Sequence, residues 1–295
     1  MVYGTPDYPD YLNKFLQEVV NNPFCNHTHT EAWEREVLNQ NGFYHTKEIV
    51  KKGTADFNTG VNDLTPNDLT PDDKVIIYCY YYMQMHIVSS FHVLKKSDSL
   101  LKEYILDPNK NIVFMDFGCG PLTSGVALAW YYRFLDKDKQ LDFHYIGIDH
   151  SEAMIRKARE ISLRPEWIDC TFHYLKSYED HDHILEYIPR DISSGQDKEY
   201  LIVLNYSYLF ASSTLDVEKL AELVKKILNT YKSHKICLFF QNPPPEFLNR
   251  KWEKFKSLIP ELCPVGGDKE AKLSYRNTTG KSKKIDLYFE TLVRE

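Results

Sequence analysis

Residues 115–125 read MDFGCGPLTSG, and this stretch joins an apolar run to a segment with helical periodicity. The run before it, Ile112–Asp116, has the composition of a buried strand, and Ser124–Leu135 has that of a helix. Asp116 ends the strand, and two closely spaced glycines and a proline follow. Glycines between a strand and a helix let the backbone approach a bound nucleoside. The stretch therefore predicts a loop that binds a nucleoside cofactor.

The spacing within this loop argues against two common nucleotide-binding motifs. A dinucleotide loop has the pattern GxGxxG, whereas here Thr123 stands at the third glycine position and the next glycine is Gly125. No GK[ST] follows, which excludes a Walker loop. A carboxylate at Asp116 would repel a pyrophosphate and attract an ammonium or sulfonium group. The loop therefore favours a cofactor with a positively charged portion.

The next strand carries a second carboxylate at its end. HYIGIDHSEAMIRKARE places Asp149 after the predicted strand Phe143–Asp149 and before a helix at Ser151–Ile161. An acidic residue in this position can bind both hydroxyls of a ribose through its two oxygens. The two strand ends together predict one cofactor site.

Short apolar runs continue to alternate with helical segments along the chain. The predicted elements are strand Cys170–Leu175, helix Asp182–Ile188, strand Tyr200–Asn205, helix Val217–Tyr231 and strand Lys235–Gln241. Alternation of this kind predicts a parallel sheet that is covered on both faces. Leu273–Asn277 and Lys283–Val293 alternate in polarity and predict a terminal antiparallel hairpin. We expect an α/β, Rossmann-like, doubly wound and mostly parallel seven-stranded sheet over residues 107–295. Residues 1–106 are expected to form a helical cap that selects the substrate.

The DxGxG loop, with an acidic end on the next strand, resembles the class I S-adenosylmethionine-dependent methyltransferases, and the resemblance covers residues 111–295. It implies that S-adenosylmethionine is the cofactor, that Asp116 lies near its methionine end and that Asp149 binds its ribose. In that family the residues after the third strand hold the adenine, which here makes Tyr178 and Asp180 candidates. The candidate cofactor-binding residues are Asp116, Gly118, Cys119, Gly120, Asp149, His150 and Asn205.

Catalytic residues are expected at the end of the fourth strand, YLIVLNYSYLF. Asn205, Tyr206 and Tyr208 stand there, where amino-methylating relatives often carry [DN]PP[YF]. An amide can orient an acceptor amine or hydroxyl, and tyrosines can stack on a flat acceptor or donate a hydrogen bond. Alternatively, Asn205 caps the loop and the tyrosines fill the core. The Asn-Pro-Pro that does occur begins at Asn242, after the fifth strand, where it is expected to end that strand.

The N-terminal region contains a long uncharged segment, Val75–Leu94, reading VIIYCYYYMQMHIVSSFHVL. Four tyrosines, two histidines and other polar residues interrupt it, and the sequence TPDD from Thr70 is a strong helix start. A buried helix is therefore favoured over a membrane span. We expect this helix to cover the cofactor mouth with part of a stripe formed by Tyr81, Tyr82, Met85 and His86. Simple core packing of the stripe is the alternative.

Charge and cysteine content bear on the partners. Residues 225–295 carry 15 Lys and Arg against 8 Asp and Glu, whereas the whole chain has 36 against 42. A basic region can place an RNA nearby, although lysines on amphipathic helices explain it as well. The acceptor is expected to be a small molecule or RNA rather than a protein. Six scattered cysteines indicate reduced thiols and a cytoplasmic protein. Cys25, His27 and His29 have side chains that can bind a metal, but no second cluster completes a tetrahedral site. The alternative function is a non-catalytic S-adenosylmethionine-binding partner or regulatory subunit.

Overall fold

The computed structural model describes residues 8–27, 30–38, 49–50, 57–58, 69–189 and 199–294. Its centre is one sheet, whose strands are β1 Lys110–Phe117, β2 His144–Ile148, β3 Thr171–Leu175, β4 Glu199–Ser207, β5 Lys235–Asn242, β6 Leu262–Val265, β7 Glu270–Arg276 and β8 Ser282–Arg294. The strand order is β3-β2-β1-β4-β5-β8-β6, and β7 also pairs with β8. β1 to β5 are parallel, and the pairs that involve β8 are antiparallel. The mostly parallel, Rossmann-like sheet predicted from the sequence is therefore confirmed.

The described sheet has eight strands, so the predicted count of seven is wrong. The additional strand is β6, which has four residues, includes Pro264 and pairs with the last part of β8. β8 is long enough, with 13 residues, to pair with β7 over its first half and with β6 over its end. Its other edge pairs with β5 from Tyr288 to Val293. The predicted terminal hairpin is present as β7 and β8.

Helices cover both faces of this sheet. Their bounds are α1 Asp10–Leu16, continued by Gln17–Asn21 and Asn22–Cys25; α2 Glu31–Trp33, continued by Glu34–Leu38; α3 Pro71–Tyr78, continued by Cys79–Met83 and Gln84–Lys96; α4 Asp98–Leu106; α5 Thr123–Leu135; α6 Glu152–Ser162; α7 His181–Glu186; α8 Val217–Thr230; and α9 Glu246–Leu258. One hydrophobic core joins the first face to α1, α3, α4, α5 and α6. A second core joins the other face to α7, α8 and α9. The sheet is thus doubly wound, as the alternation predicts.

The long helix α3 begins as its sequence predicts. The Thr70 hydroxyl accepts a hydrogen bond from the backbone N–H of Asp73, and the Asp73 carboxylate accepts one from the N–H of Thr70. This capping box satisfies two N–H groups that the first turn would otherwise leave without partners. The uncharged segment Val75–Leu94 lies within α3, and much of it is buried against α5 and the first face of the sheet. No helix in the described ranges is both long and apolar enough to cross a bilayer.

The connection after β5 is held by two asparagines. Asn242 donates its side-chain N–H to the Asn249 side chain, and Asn249 donates to the carbonyls of Pro243, Pro244 and Pro245. Asn242 is fully buried and is the last residue of β5. The prolines that follow it end the strand, and the chain turns into α9 at Glu246.

Residues 54–73 read TADFNTGVNDLTPNDLTPDD, which predicts a polar, turn-rich connector. The structure describes only Phe57, Asn58 and the part from Leu69 onward.

Candidate functional site

The register of the central strands brings Asp116 and Asn205 side by side. Asp116 of β1 is paired with Asn205 of β4 and, on its other side, with Gly147 of β2. Paired residues direct their side chains to the same face of a sheet, here the face that carries α5. The two side chains meet just before the glycine loop, Gly118–Gly120, near the carboxyl ends of the strands. Ligands bind at these strand ends in sheets of this type.

Asp116 is fully buried within a hydrogen-bonded network. Its Oδ2 accepts the Tyr145 hydroxyl at 2.6 Å, and its Oδ1 accepts the Asn205 side-chain N–H at 2.7 Å. Burial raises the pKa of Asp116 to about 6, although the hydrogen bonds from Tyr145, Asn205 and Ser124 oppose that rise. The Asp116 carboxylate is therefore directed into the protein, where Tyr145 and Asn205 hold its two oxygens.

Gly147 makes this network possible, although it is not among the site residues predicted from the sequence. A Cβ atom at Gly147 would lie 2.9 Å from the Tyr145 ring, 2.9 Å from the Tyr174 ring and 3.0 Å from the Cys119 Sγ. These distances are shorter than van der Waals contact, so a side chain would displace the Tyr145 ring that reaches Asp116. A glycine inside a predicted strand is the signal that marks such a close approach.

The glycine loop is fastened to the end of β2. Gly118 and Gly120 have φ angles of 72° and 52°, which favour glycine. The backbone N–H groups of Gly118 and Cys119 both donate to the Ile148 carbonyl, at 2.7 and 3.1 Å. A Cβ atom at Gly120 would meet no atom within 4 Å, so the space above this residue is open. The Cys119 side chain is buried, which leaves only its backbone for a ligand.

Asp149 lies at the edge of the same loop. Its Oδ2 accepts the Gly120 N–H at 2.9 Å, and its Oδ1 accepts the Ser151 N–H at 2.9 Å. Burial raises the pKa of Asp149, and these two backbone N–H groups counteract the rise. Each oxygen keeps a lone pair for a further donor. The neighbouring His150 side chain is 77% exposed, and its Nδ1 lies 3.8 Å from Asp149 Oδ1.

The three residues predicted at the end of β4 do not share one environment. Asn205 faces the first core, whereas Tyr206 is fully buried in the second and packs against Phe117 and Phe210. Successive residues of a strand point to opposite faces, which accounts for this separation. Tyr208 adopts a left-handed conformation with φ of 61°, which returns its ring to the side of α3. We therefore leave Tyr206 out of the proposed site.

Helix α3 contacts the ends of β4 and β5 through His86, Ser89 and Ser90. The His86 ring stacks on Tyr208 with 4.2 Å between centroids, and the Tyr208 hydroxyl donates to Ser89 Oγ at 3.2 Å. Ser90 Oγ accepts from the Gln241 side chain at 2.7 Å. Of the predicted stripe, His86 faces the strand ends, whereas Tyr81, Tyr82 and Met85 pack in the cluster around Trp33. The predicted covering of a cofactor by this helix stays a prediction.

The two adenine candidates are engaged within the protein. The Tyr178 hydroxyl donates to the Asp216 carbonyl at 3.2 Å, and Asp180 Oδ1 accepts the His183 N–H at the start of α7.

The possible metal ligands near Cys25 are also dispersed: the His27 ring is 2.7 Å from Asp73, and His29 lies outside the described residues. Within the described part of the chain, no three His, Cys, Asp or Glu side chains converge as metal ligands would.

Comparisons with known proteins give matches among solved structures. No family model and no curated protein matches the chain. A provisionally assigned class I S-adenosylmethionine-dependent methyltransferase from Listeria monocytogenes has 13% identity and a TM-score of 0.45, covering 97% of this chain and 88% of its own.

Two further matches carry more specific descriptions. The precorrin-6y C5,15-methyltransferase of Geobacter metallireducens has 10% identity and a TM-score of 0.41, covering 81% of this chain and 94% of its own. Magnesium protoporphyrin IX methyltransferase from Synechocystis, with bound S-adenosylhomocysteine, has 12% identity and a TM-score of 0.35, covering 72% and 88%. The solved structures that match this chain are mostly class I S-adenosylmethionine-dependent methyltransferases.

Proposed function

We propose that this protein binds S-adenosylmethionine above the glycine loop and transfers its methyl group to a small-molecule or RNA acceptor. The observation that carries the proposal is the Asp149 carboxylate, which the Gly120 N–H holds at the loop edge with a lone pair left on each oxygen. A carboxylate in this position is suited to two ribose hydroxyls.

Two features of the loop fit such a cofactor. The space above Gly120 is open. The hydroxyl of Thr123, at the first residue of α5, is buried and has no hydrogen-bond partner among the described residues. A buried hydroxyl without a partner is costly, and a bound ligand would relieve that cost. Asp149 would hold the ribose, and the backbone of Gly118–Gly120 would lie against the methionine portion.

S-adenosylmethionine supplies, when bound, a methyl group on a positively charged sulfur. The chain's own contribution to such a displacement is positioning, because the acceptor must approach in line with the carbon–sulfur bond. Asn205 lies on the strand next to the loop and can orient the acceptor. Tyr208, held by His86 and Ser89, can border it.

The test has a binding arm and a transfer arm. S-adenosylmethionine and S-adenosylhomocysteine should each raise the melting temperature by about 5 °C or more at saturating concentration, because they bind the native state only. NAD should not. Radiolabelled methyl groups should then be transferred to components of a fractionated cell extract. Stabilisation by NAD alone would contradict the proposal.

The second candidate function is a non-catalytic binder of the same cofactor. The observation that favours it is the close packing at the end of β4, where Asn205 is only 5% exposed and Tyr208 is covered by α3. Binding of S-adenosylmethionine without methyl transfer to any extract fraction would select this function over the first.

A further inference from the structure

The side-chain amide of Asn205 has only one possible orientation in this network. Its Nδ2 donates to Asp116 Oδ1 at 2.7 Å and to Ser124 Oγ at 3.1 Å. An ionised carboxylate accepts hydrogen bonds and donates none, so the NH₂ group must face Asp116. The Asn205 Oδ1 accepts no hydrogen bond from the described residues, and it is not among the buried atoms without a partner. The oxygen is thus the only part of the amide that is left for a ligand.

Asp116 in turn is fixed by a second partner. The Tyr145 hydroxyl donates to Asp116 Oδ2, and the Tyr145 ring occupies the space that Gly147 leaves open. One carboxylate oxygen therefore accepts from Tyr145 and the other from Asn205, and the Ser124 hydroxyl adds a further hydrogen bond to the carboxylate. Burying a carboxylate away from solvent is costly, and an amide of the same shape would fill the space without a charge. This cost suggests that the carboxylate serves a purpose that an amide would not.

We propose that Asp116 is a positioning residue that makes Asn205 an obligate hydrogen-bond acceptor, so that the site selects a methyl acceptor carrying an N–H or O–H on the reacting atom. This inference rests on the proposed function. The N–H or O–H of the acceptor donates to Asn205 Oδ1, which directs the lone pair of that atom at the methyl carbon. The new bond to carbon forms as the carbon–sulfur bond breaks, its electron pair stays on sulfur, and the acceptor's proton leaves to solvent.

The Asp116→Asn variant tests this role because it reverses the amide. The buried Tyr145 hydroxyl needs an acceptor, so the oxygen of the new amide faces Tyr145 and its NH₂ group faces residue 205. Asn205 must then direct its own oxygen inward and its NH₂ outward. We expect turnover to fall by about tenfold or more, which corresponds to the loss of one oriented hydrogen bond. The shift in melting temperature caused by S-adenosylmethionine should be retained.

Two further variants separate orientation from stability. The exchange Asp116→Asn with Asn205→Asp restores one carboxylate and one amide, and again presents only an acceptor to the ligand. It should return turnover to within about threefold of the wild type, since the hydrogen bond is restored. Tyr145→Phe removes a hydrogen bond of similar length to Asp116 and leaves Asn205 paired. It should lower the melting temperature and keep turnover within about threefold.

A measurement without substrate keeps this inference distinct from the proposed function. The Asn205 side-chain amide protons, assigned by their loss in Asn205→Ala, should exchange slowly with deuterium in the wild type and rapidly in Asp116→Asn. Rapid exchange in both proteins would overturn the inference even if methyl transfer occurs. An Asp116→Asn variant with wild-type turnover would overturn it as well. Loss of the S-adenosylmethionine shift in that variant would assign Asn205 to the cofactor and overturn the selection of the acceptor. If the wild type neither binds the cofactor nor transfers methyl groups, the proposed function fails and the exchange result still stands.

Discussion

Gly120 donates its backbone N–H to the carboxylate of Asp149 at 2.9 Å, so the loop after β1 is tied to the end of β2. A second N–H, from Ser151 at the start of α6, holds the other oxygen of the same carboxylate. One side chain thus fixes the glycine loop and the adjacent helix start. The Asp149 side chain is 10% exposed at the edge of the candidate cofactor site.

The Asp149→Asn variant should lose most of the melting-temperature increase that S-adenosylmethionine causes. An asparagine has one accepting oxygen, so it cannot serve both backbone N–H groups and two ribose hydroxyls. The increase should fall from about 5 °C to about 1 °C or less in a thermal unfolding assay. Asp182→Asn is a matched control, because this carboxylate lies on the exposed surface and pairs with Lys226. An undiminished shift in Asp149→Asn would remove Asp149 from the cofactor site.

Gly147→Ala should destabilise the protein by about 1–3 kcal/mol, since a methyl group there overpacks a filled core. The new Cβ would lie 2.9 Å from the rings of Tyr145 and Tyr174. Urea unfolding would measure the loss. Gly267→Ala is the control, because a Cβ at Gly267 would meet no atom within 4 Å. Equal stability of the two variants would contradict the packing described around Asp116.

Stability should depend on pH through Asp116. Burial raises its pKa from 3.8 to about 6, so the folded protein keeps this proton where the unfolded chain has already released it. This group therefore lowers stability progressively as the pH rises from about 4 to about 6, and the loss is complete above that range. Tyr145, Tyr174, Cys119 and Asp149 are the other titratable groups that interact with it.

Asp116→Asn should therefore be at least as stable as the wild type at pH 7 and no more stable at pH 4. Two pKa units correspond to a gain of up to about 3 kcal/mol at neutral pH. Urea unfolding between pH 4 and pH 8 would measure the difference between the two proteins. A variant that is less stable than the wild type at pH 7 would show that the charge is favourable where it lies. Higher stability together with lower turnover would identify Asp116 as a residue kept for activity.

Glu290→Gln should destabilise the protein by about 1–3 kcal/mol. The Glu290 side chain is 2% exposed and pairs with Lys256 and Lys269 at 3.1 and 3.2 Å. Burial opposes its ionisation, but the Tyr288 hydroxyl and the two lysines hold its pKa below the usual glutamate range. This contribution is present above the pKa of the unfolded chain, near 4.5, and is lost as the pH falls through the lower folded value.

Chemical unfolding at pH 7 would measure the cost of Glu290→Gln. Glu253→Gln serves as the control, because Glu253 also pairs with Lys256 but is 59% exposed. Exposed pairs contribute about 0–1 kcal/mol, so the control should change little. The cost of Glu290→Gln should shrink at pH 3. A constant cost at both pH values would indicate that packing, rather than charge, is what the substitution removes.

Much of the fold is predictable because strand and helix periodicity recur without interruption from β1 to β5. The predicted strands and helices of this region end within two residues of those observed. β6 was missed because four residues with a proline give no alternation to detect. The terminal hairpin was predicted because β7 and the first half of β8 each have one exposed face.

The candidate site was predictable only in part. The positions of Asp116, Gly118, Gly120 and Asp149 at strand ends follow from local sequence. The inward direction of Asp116 does not, because it depends on its register with Asn205 and on the space beside Gly147. The separation of Tyr206 from Asn205 could have been predicted from strand alternation alone. The left-handed turn that returns Tyr208 to α3 has no signal in the sequence.

The position of β8 has a consequence for synthesis of the protein on the ribosome. β8 follows β5, β6 and β7 in the chain, yet it lies between β5 and the other two in the sheet. Until residues 288–293 have been translated and have left the exit tunnel, the edge of β5 has no neighbour on that side. An unpaired edge in a nascent chain invites pairing with other chains. Translation stalled before β8 should therefore yield aggregation-prone chains that recruit chaperones.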